Sequence, residues 1–139
     1  MDPRSPNPLA WFWRGRILTA EGKYDEAYAA LQRIGLLKTW TPAMAALGFL
    51  YGKMGRRTEA ANVLGQFDAL TKSGRYASSY AIAVIHAGLD DRARALSALE
   101  AAYTEKSHWL VWLKRDPRWD EIRDDDRFKR LVRDVGLPA

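Results

Sequence analysis

Apolar and small residues recur along the chain at the three- and four-residue spacing of helices. No segment keeps the period-two alternation of a half-buried strand. Ala27, Leu31 and Ile34 form one such stripe, Ala60, Leu64 and Phe67 a second, and Ala95, Leu99 and Ala102 a third. Ahead of the first two lie Trp11, Gly15 and Leu18, then Met44, Leu47, Gly48 and Tyr51. Gly22 and Gly55 fall where a left-handed residue commonly ends a helix. Thr41-Pro42 reads as a capping hydroxyl followed by proline at the first helical position. The pattern predicts helices over 8–21, 24–35, 42–54, 57–71, 76–88 and 91–106, and an all-α fold.

The helices come in pairs that repeat. Gly22 to Leu31 aligns with Gly55 to Leu64 and with Asp90 to Leu99, so that Ala27, Ala60 and Ala95 recur at intervals of 33 and 35 residues. Upstream, Gly15 and Gly48 are also 33 apart, and Ala83 takes the third place. Small residues at these points let paired helices approach to roughly 8–10 Å between axes. The third unit carries its turn glycine, Gly88, two places earlier than strict register. A period of about 34 resembles the tetratricopeptide repeat. The resemblance implies one domain over 1–139, with three helix-turn-helix repeats near 8–37, 41–72 and 75–106 wound into a right-handed α-solenoid. The last open face of a solenoid needs an atypical covering unit. Residues 107–139 are expected to supply it as a C-terminal helical cap, with Trp109, Trp112, Trp119, Phe128 and Leu131 as covering residues. Asp116-Pro117 and one of Asp124 to Asp126 read as helix starts, and Gly136 to Pro138 as a stop.

The stretch from Tyr80 to Pro138, through Ala102-Tyr103, Trp109 to Leu113, Asp116 to Asp120 and Asp126 to Phe128, resembles a more specific group. It is similar to the C-terminal end of tetratricopeptide domains in multidomain bacterial signalling proteins. There the repeats follow a winged-helix DNA-binding, adenylate-cyclase-type or serine/threonine kinase domain. The resemblance implies a regulatory or scaffolding context and carries no catalytic residue with it.

In a tetratricopeptide stack the first helix of each pair lines a concave groove. The resemblance places Phe12 and Arg16, Ala45 and Phe49, and Tyr80 and Val84 in that groove, with Thr19, Gly52 and Lys53 one turn later. Members that clamp a peptide's terminal carboxylate use lysine, asparagine and arginine there. This chain has Phe12 in place of a clamp lysine, and Ala46, Ala77 and Ala81 at other clamp positions, so it is not of that kind. The groove is expected to be aromatic and apolar, flanked by Arg16 and Lys53, and suited to anchoring a partner. Packing of Phe12 and Tyr80 against neighbouring turns or a flanking segment is an equal alternative. Trp11, Phe12 and Trp13 are consecutive, and at about 100° per residue they cannot all face one core. An exposed tryptophan there suggests a dimer contact through Trp11 and Trp13, or a missing upstream domain.

Composition narrows the chemistry. Cysteine is absent, which excludes disulfides, thiol nucleophiles and cysteine-bound metal and fits a cytoplasmic setting. No apolar run reaches the length of a membrane span, and Met1 to Pro8 has no apolar core of a secretory signal. The net charge of +5 comes from 22 Lys and Arg interspersed with 17 Asp and Glu. That is the pattern of a solvated surface, and nucleic-acid binding is kept only as a minor alternative. His86 and His108 are 22 residues apart without metal-ligand spacing, so His86 reads as a packing residue. Asp124 to Asp126 lacks the alternating ligands of a calcium loop and fits helix capping. Phosphate-cradling loops and a nucleophile elbow are missing. No cofactor, metal or catalytic residue is expected. The sequence points to a non-catalytic protein-interaction module or scaffold that takes an apolar peptide or protein segment, with homodimerisation as the alternative.

Overall fold

A computed structural model of the chain describes residues 7–34, 40–74 and 78–136. The expected repeat boundaries at 35–37 and 75–77, with Ala77 and Pro138, lie outside the described residues. Seven α-helices and two short 3-10 turns appear among the described residues, and no strand. The helices are α1 (Pro8–Ala20), α2 (Tyr24–Gln32), α3 (Thr41–Lys53), α4 (Arg57–Lys72), α5 (Ser79–Gly88), α6 (Arg92–Thr104) and α7 (Asp126–Val135). Between α6 and α7 the 3-10 turns span His108–Trp112 and Pro117–Trp119. The fold is therefore the expected all-α helical repeat. Helix α1 pairs with α2, α3 with α4 and α5 with α6, while α1, α3 and α5 pack on one another in sequence. Those three line what is called the inner face below.

Local signals explain most boundaries. Asn7 caps α1 by accepting from the Leu9 N–H at 3.0 Å, with Pro8 at the first position. The Ser78 hydroxyl accepts from Ala81 N–H, and Asp125 from Arg127 N–H, as N-caps of α5 and α7. The expected Thr41 cap is corrected. Thr41 is already inside α3, the cap position is Trp40, and no side chain caps it.

The three turns inside the pairs share one geometry. Gly22, Gly55 and Asp90 have φ of 79°, 77° and 60°. The next amide in each donates to a carbonyl five residues back: Lys23 to Leu18, Arg56 to Tyr51 and Asp91 to His86. This is the bond that closes a helix after a left-handed residue. Asp90, not Gly88, is thus the register-equivalent of the two glycines, and aspartate tolerates that backbone better than most residues. The reading of Gly88 as a displaced turn residue is corrected. Gly88 is instead a crossing point. A Cβ there would lie 2.6 Å from the Phe49 carbonyl oxygen, and one on Gly52 would lie 2.4 Å from the Gly88 carbonyl.

The small residues of the repeat also divide by partner. Gly15 makes room for Leu31 within its own pair, as expected, whereas Gly48 makes room for Ile85 of the following pair. Ala27, Ala60 and Ala95 are fully buried.

The core has two clusters. The smaller gathers Trp11, Phe12, Leu18, Leu31 and Ile34 with Ala46 and Leu50 of α3. The larger runs from Met44 and Phe49 through Phe67, Tyr80, Ile85 and Leu99 into Trp119, Phe128 and Leu131. Of the expected covering residues, Trp119, Phe128 and Leu131 are buried and Trp109 partly so, but Trp112 is exposed. Leu110 and Leu113 take its place. A 3-10 turn has three residues per turn, so positions three apart share a face and Trp112 points away from it.

Candidate protein-binding cleft

The C-terminal segment does more than close the end of the stack, because it folds back across the inner face. Trp119 is fully buried, its ring edge-on to Tyr80 at 5.3 Å between centroids. Its Nε1–H donates to the Tyr80 hydroxyl at 2.9 Å, and that hydroxyl donates to Asp116 at 2.8 Å. The Asp116 carboxylate also accepts from Arg16 Nη2 at 3.2 Å and from Arg118 Nη2 at 2.7 Å, Arg118 Nε and the Arg118 backbone N–H. Arg123 donates to the Asp116 and Leu113 carbonyls. One carboxylate thus ties α1, α5 and the second 3-10 turn together.

The electrostatics of this knot follow from its burial. Desolvation works to raise the Asp116 carboxyl, but the adjacent Arg118 and Arg16 guanidiniums outweigh it and hold the group below the usual carboxylate range. Burial, helped by Arg118, pushes Arg16 down to about 10 against the pull of Asp116. Tyr80 is pushed up, first by burial and then by the Asp116 charge. At neutral pH all three keep their ordinary protonation states. A buried carboxylate with this many donors is fully satisfied, the condition under which a buried charge is tolerated.

The segment divides the expected groove residues into two sets. Phe12, Ala45, Tyr80 and Val84 are at most 3 % exposed. With Trp109 and Arg118 over them, the space left is about 20 Å³, roughly room for one water. As residues presented to a partner, these four are corrected: they face inward as expected, and the chain's own C-terminal segment covers them. Arg16, Thr19, Phe49 and Lys53 instead line an open cleft of about 510 Å³, within the usual range for binding pockets. Its other walls are Trp13, Ile17 and Ala20 of α1, Glu21 just after it, Tyr24 of α2, Ala46 of α3, and Pro117, Arg118, Asp120 and Glu121 of the C-terminal segment.

The cleft has an apolar floor and a charged rim. Lys53 Nζ bridges to Glu121 at 2.7 Å, joining α3 to the C-terminal segment across the opening, and lies 5.5 Å from the Phe49 ring. The Arg16 guanidinium lies 4.8 Å from the centre of the Trp13 ring. Trp13 is 41 % exposed and Ile17 57 %, while Trp11 is buried with the Arg33 guanidinium 5.4 Å from its ring. Of the two tryptophans proposed for a dimer contact, only Trp13 has surface to offer.

Other candidates lie elsewhere. His86 is half-buried on α5 and its Nδ1 lacks a partner; burial lowers its pKa, only partly offset by Asp91. The His108 ring lies tilted beside Trp109, and neither histidine lines the cleft. Asp125 caps α7, in keeping with the capping reading of the aspartate run. Among the described residues, no group of three or more His, Asp or Glu is placed to hold a metal ion, and no helix is long and apolar enough to cross a membrane.

Sequence reasoning missed Asp116, Arg118 and Glu121 as groove residues. Asp116 was legible only as a cap, a role it also fills by accepting from Arg118 N–H. Its partner Arg16 is 100 residues away, a pairing that no local pattern reveals. Ile17 carried a usable signal, being four residues after Trp13 on the same helix.

Residues 9–34, which make up α1, the first turn and α2, match the tetratricopeptide repeat family. No curated protein and no solved structure matches the chain. The first helix pair is thus similar to a tetratricopeptide repeat, and the described architecture is a helical-repeat solenoid of that type. Such repeats are in general protein-interaction modules without catalytic residues of their own.

Proposed function

We propose that the chain is a non-catalytic interaction module that takes an apolar segment of a protein partner into the cleft between α1, α3 and the C-terminal segment. The observation that carries this reading is the cleft itself. It is open beside two exposed apolar residues, Trp13 and Ile17, and floored by Ala46 and Phe49. Its rim offers both signs of charge, Arg16 and Lys53 on one side and Asp120 and Glu121 on the other. An apolar anchor with a polar edge is the ordinary composition of a protein interface. A buried side chain of Leu or Phe size contributes about 1.5–3 kcal/mol before ordering costs. A regulatory role in a bacterial cytoplasmic signalling protein belongs to the same proposal and rests on the resemblance of residues 80–138.

The test is a titration of isotope-labelled protein with a panel of short amphipathic peptides. Perturbations are expected to centre on Thr19, Phe49 and Lys53. They should disappear in Thr19→Trp, which fills the cleft from the partly exposed end of α1. Binding that persists unchanged in that variant, or perturbations confined to the outer helices α2, α4 and α6, would reject the cleft.

A further inference from the structure

Helix α1 carries an exposed apolar stripe, Leu9, Trp13 and Ile17, at 50 %, 41 % and 57 % exposure. The residues are four apart, so they stand above one another on one helix face. The repeat register shows what this face is for. Adding 33 to Trp13 and Ile17 gives Ala46 and Leu50, which are buried in the cluster built from α1 and α2. A further 35 gives Ala81 and Ile85, also buried, with Ile85 set against Gly48 of α3. At each later repeat these positions are therefore covered by the preceding helix pair. On α1 the same register is bare.

We infer that this stripe is a two-fold self-association face, on which α1 packs antiparallel against α1 of a second copy. Two observations select a second copy in this orientation. First, the stripe is symmetric about Trp13, so antiparallel packing sets Leu9 opposite the copy's Ile17 and Trp13 opposite its own twin. That is the self-complementarity an isologous interface requires. Second, the outer face of α7, at the other end of the stack, offers the stripe no apolar partner. There α7 buries Phe128 and Leu131 and turns Lys129, Arg130, Arg133 and Asp134 outward. Head-to-tail stacking would set apolar side chains on charges, whereas a two-fold contact closes at two copies. A helix of 13 residues is about 20 Å long, so the contact belongs to the small, concentration-dependent class of interfaces. The face shares Trp13 and Ile17 with the proposed cleft, whereas Leu9 does not line it, so a change at Leu9 tests this face apart from peptide binding.

The test is sedimentation of the full chain over a series from micromolar to millimolar. The mass is expected to rise towards twice that of the monomer, and Leu9→Glu should hold it at the monomer with an unchanged helical spectrum. Trp112→Glu, at an exposed apolar residue of the cap, should leave the dimer intact. Orientation is read by oxidation, since the natural chain has no cysteine. Leu9→Cys mixed with Ile17→Cys should cross-link, while Leu9→Cys alone should not. A wild-type monomer throughout the series, association unaffected by Leu9→Glu or abolished by Trp112→Glu, or self-cross-linking of Leu9→Cys would each overturn the inference. So would failure of the mixed pair to link.

Discussion

The half of the inner face between Phe12 and Tyr80 is filled by the chain's own C-terminal segment, whereas the half between Arg16 and Lys53 stands open. Both halves draw on the first helices, with Arg16 and Phe49 of the open half one turn after Phe12 and Ala45 of the closed half. What differs is the lid. Over Tyr80 the segment brings a fully buried tryptophan and a carboxylate that satisfies three side chains at once. Over Lys53 it brings Glu121, an exposed partner at the rim, beside Pro117 and Asp120. An aromatic groove in a repeat stack is therefore not by itself a docking site. Its aromatic part can belong to the core, leaving the partner-facing part to smaller residues beside it.

The contrast predicts a gradient of effects. Trp119→Ala removes the lid of the closed half and leaves a large cavity. A loss of about 4 kcal/mol is expected in chemical denaturation, and a loss below 1 kcal/mol would show that the closed half is not part of the core. Asp116→Ala leaves Arg16, Arg118 and Tyr80 without their shared acceptor, at a cost of about 3 kcal/mol. If the knot is what pins the segment, amide exchange in residues 107–123 should accelerate more than in α1 to α4.

Gly88→Ala tests the crossing of α3 and α5 behind both halves. The added methyl meets backbone, which cannot swing aside, and about 2 kcal/mol is expected. Thr19→Trp and Lys53→Ala, in the open half, should change stability by no more than about 0.5 kcal/mol, as for most surface changes, while altering peptide binding. Thermal or denaturant unfolding ranks all five.

Acid should act on the closed half first. The folded Asp116 carboxyl titrates below its unfolded value, so the unfolded chain takes up the proton more readily. Its contribution is complete above the unfolded carboxylate value near 4 and is lost as pH falls through the depressed folded value. Wild type should therefore lose stability on acidification below about pH 4 more steeply than Asp116→Asn. Equal slopes would show that the knot does not govern the acid limb.

The helices were legible in the sequence because their signals are local. Apolar spacing, glycine stops and capping residues gave all six paired helices within a few residues of their observed ends, outside the undescribed stretches. The left-handed turn at Asp90 was harder to see, because Gly88 stands nearby and is needed for a contact with α3 instead. Trp112 was misjudged as a covering residue because the cap was read as helical, whereas in the 3-10 turn Leu110 and Leu113, three apart, take the buried face.

The sequence by itself determined the all-α repeat, the pairing of helices and the need for small residues at their crossings, since each follows from spacing along one chain. It also required that at least one residue of the Trp11–Trp13 run be exposed or covered from outside the repeats. Only the tertiary structure decided that Trp13 is that residue, that Gly48 serves the next pair rather than its own, and that the C-terminal segment closes half of the inner face. Those outcomes rest on contacts between residues 36 to 100 positions apart, and a periodicity of about 34 fixes which face a residue occupies without fixing what comes to cover it.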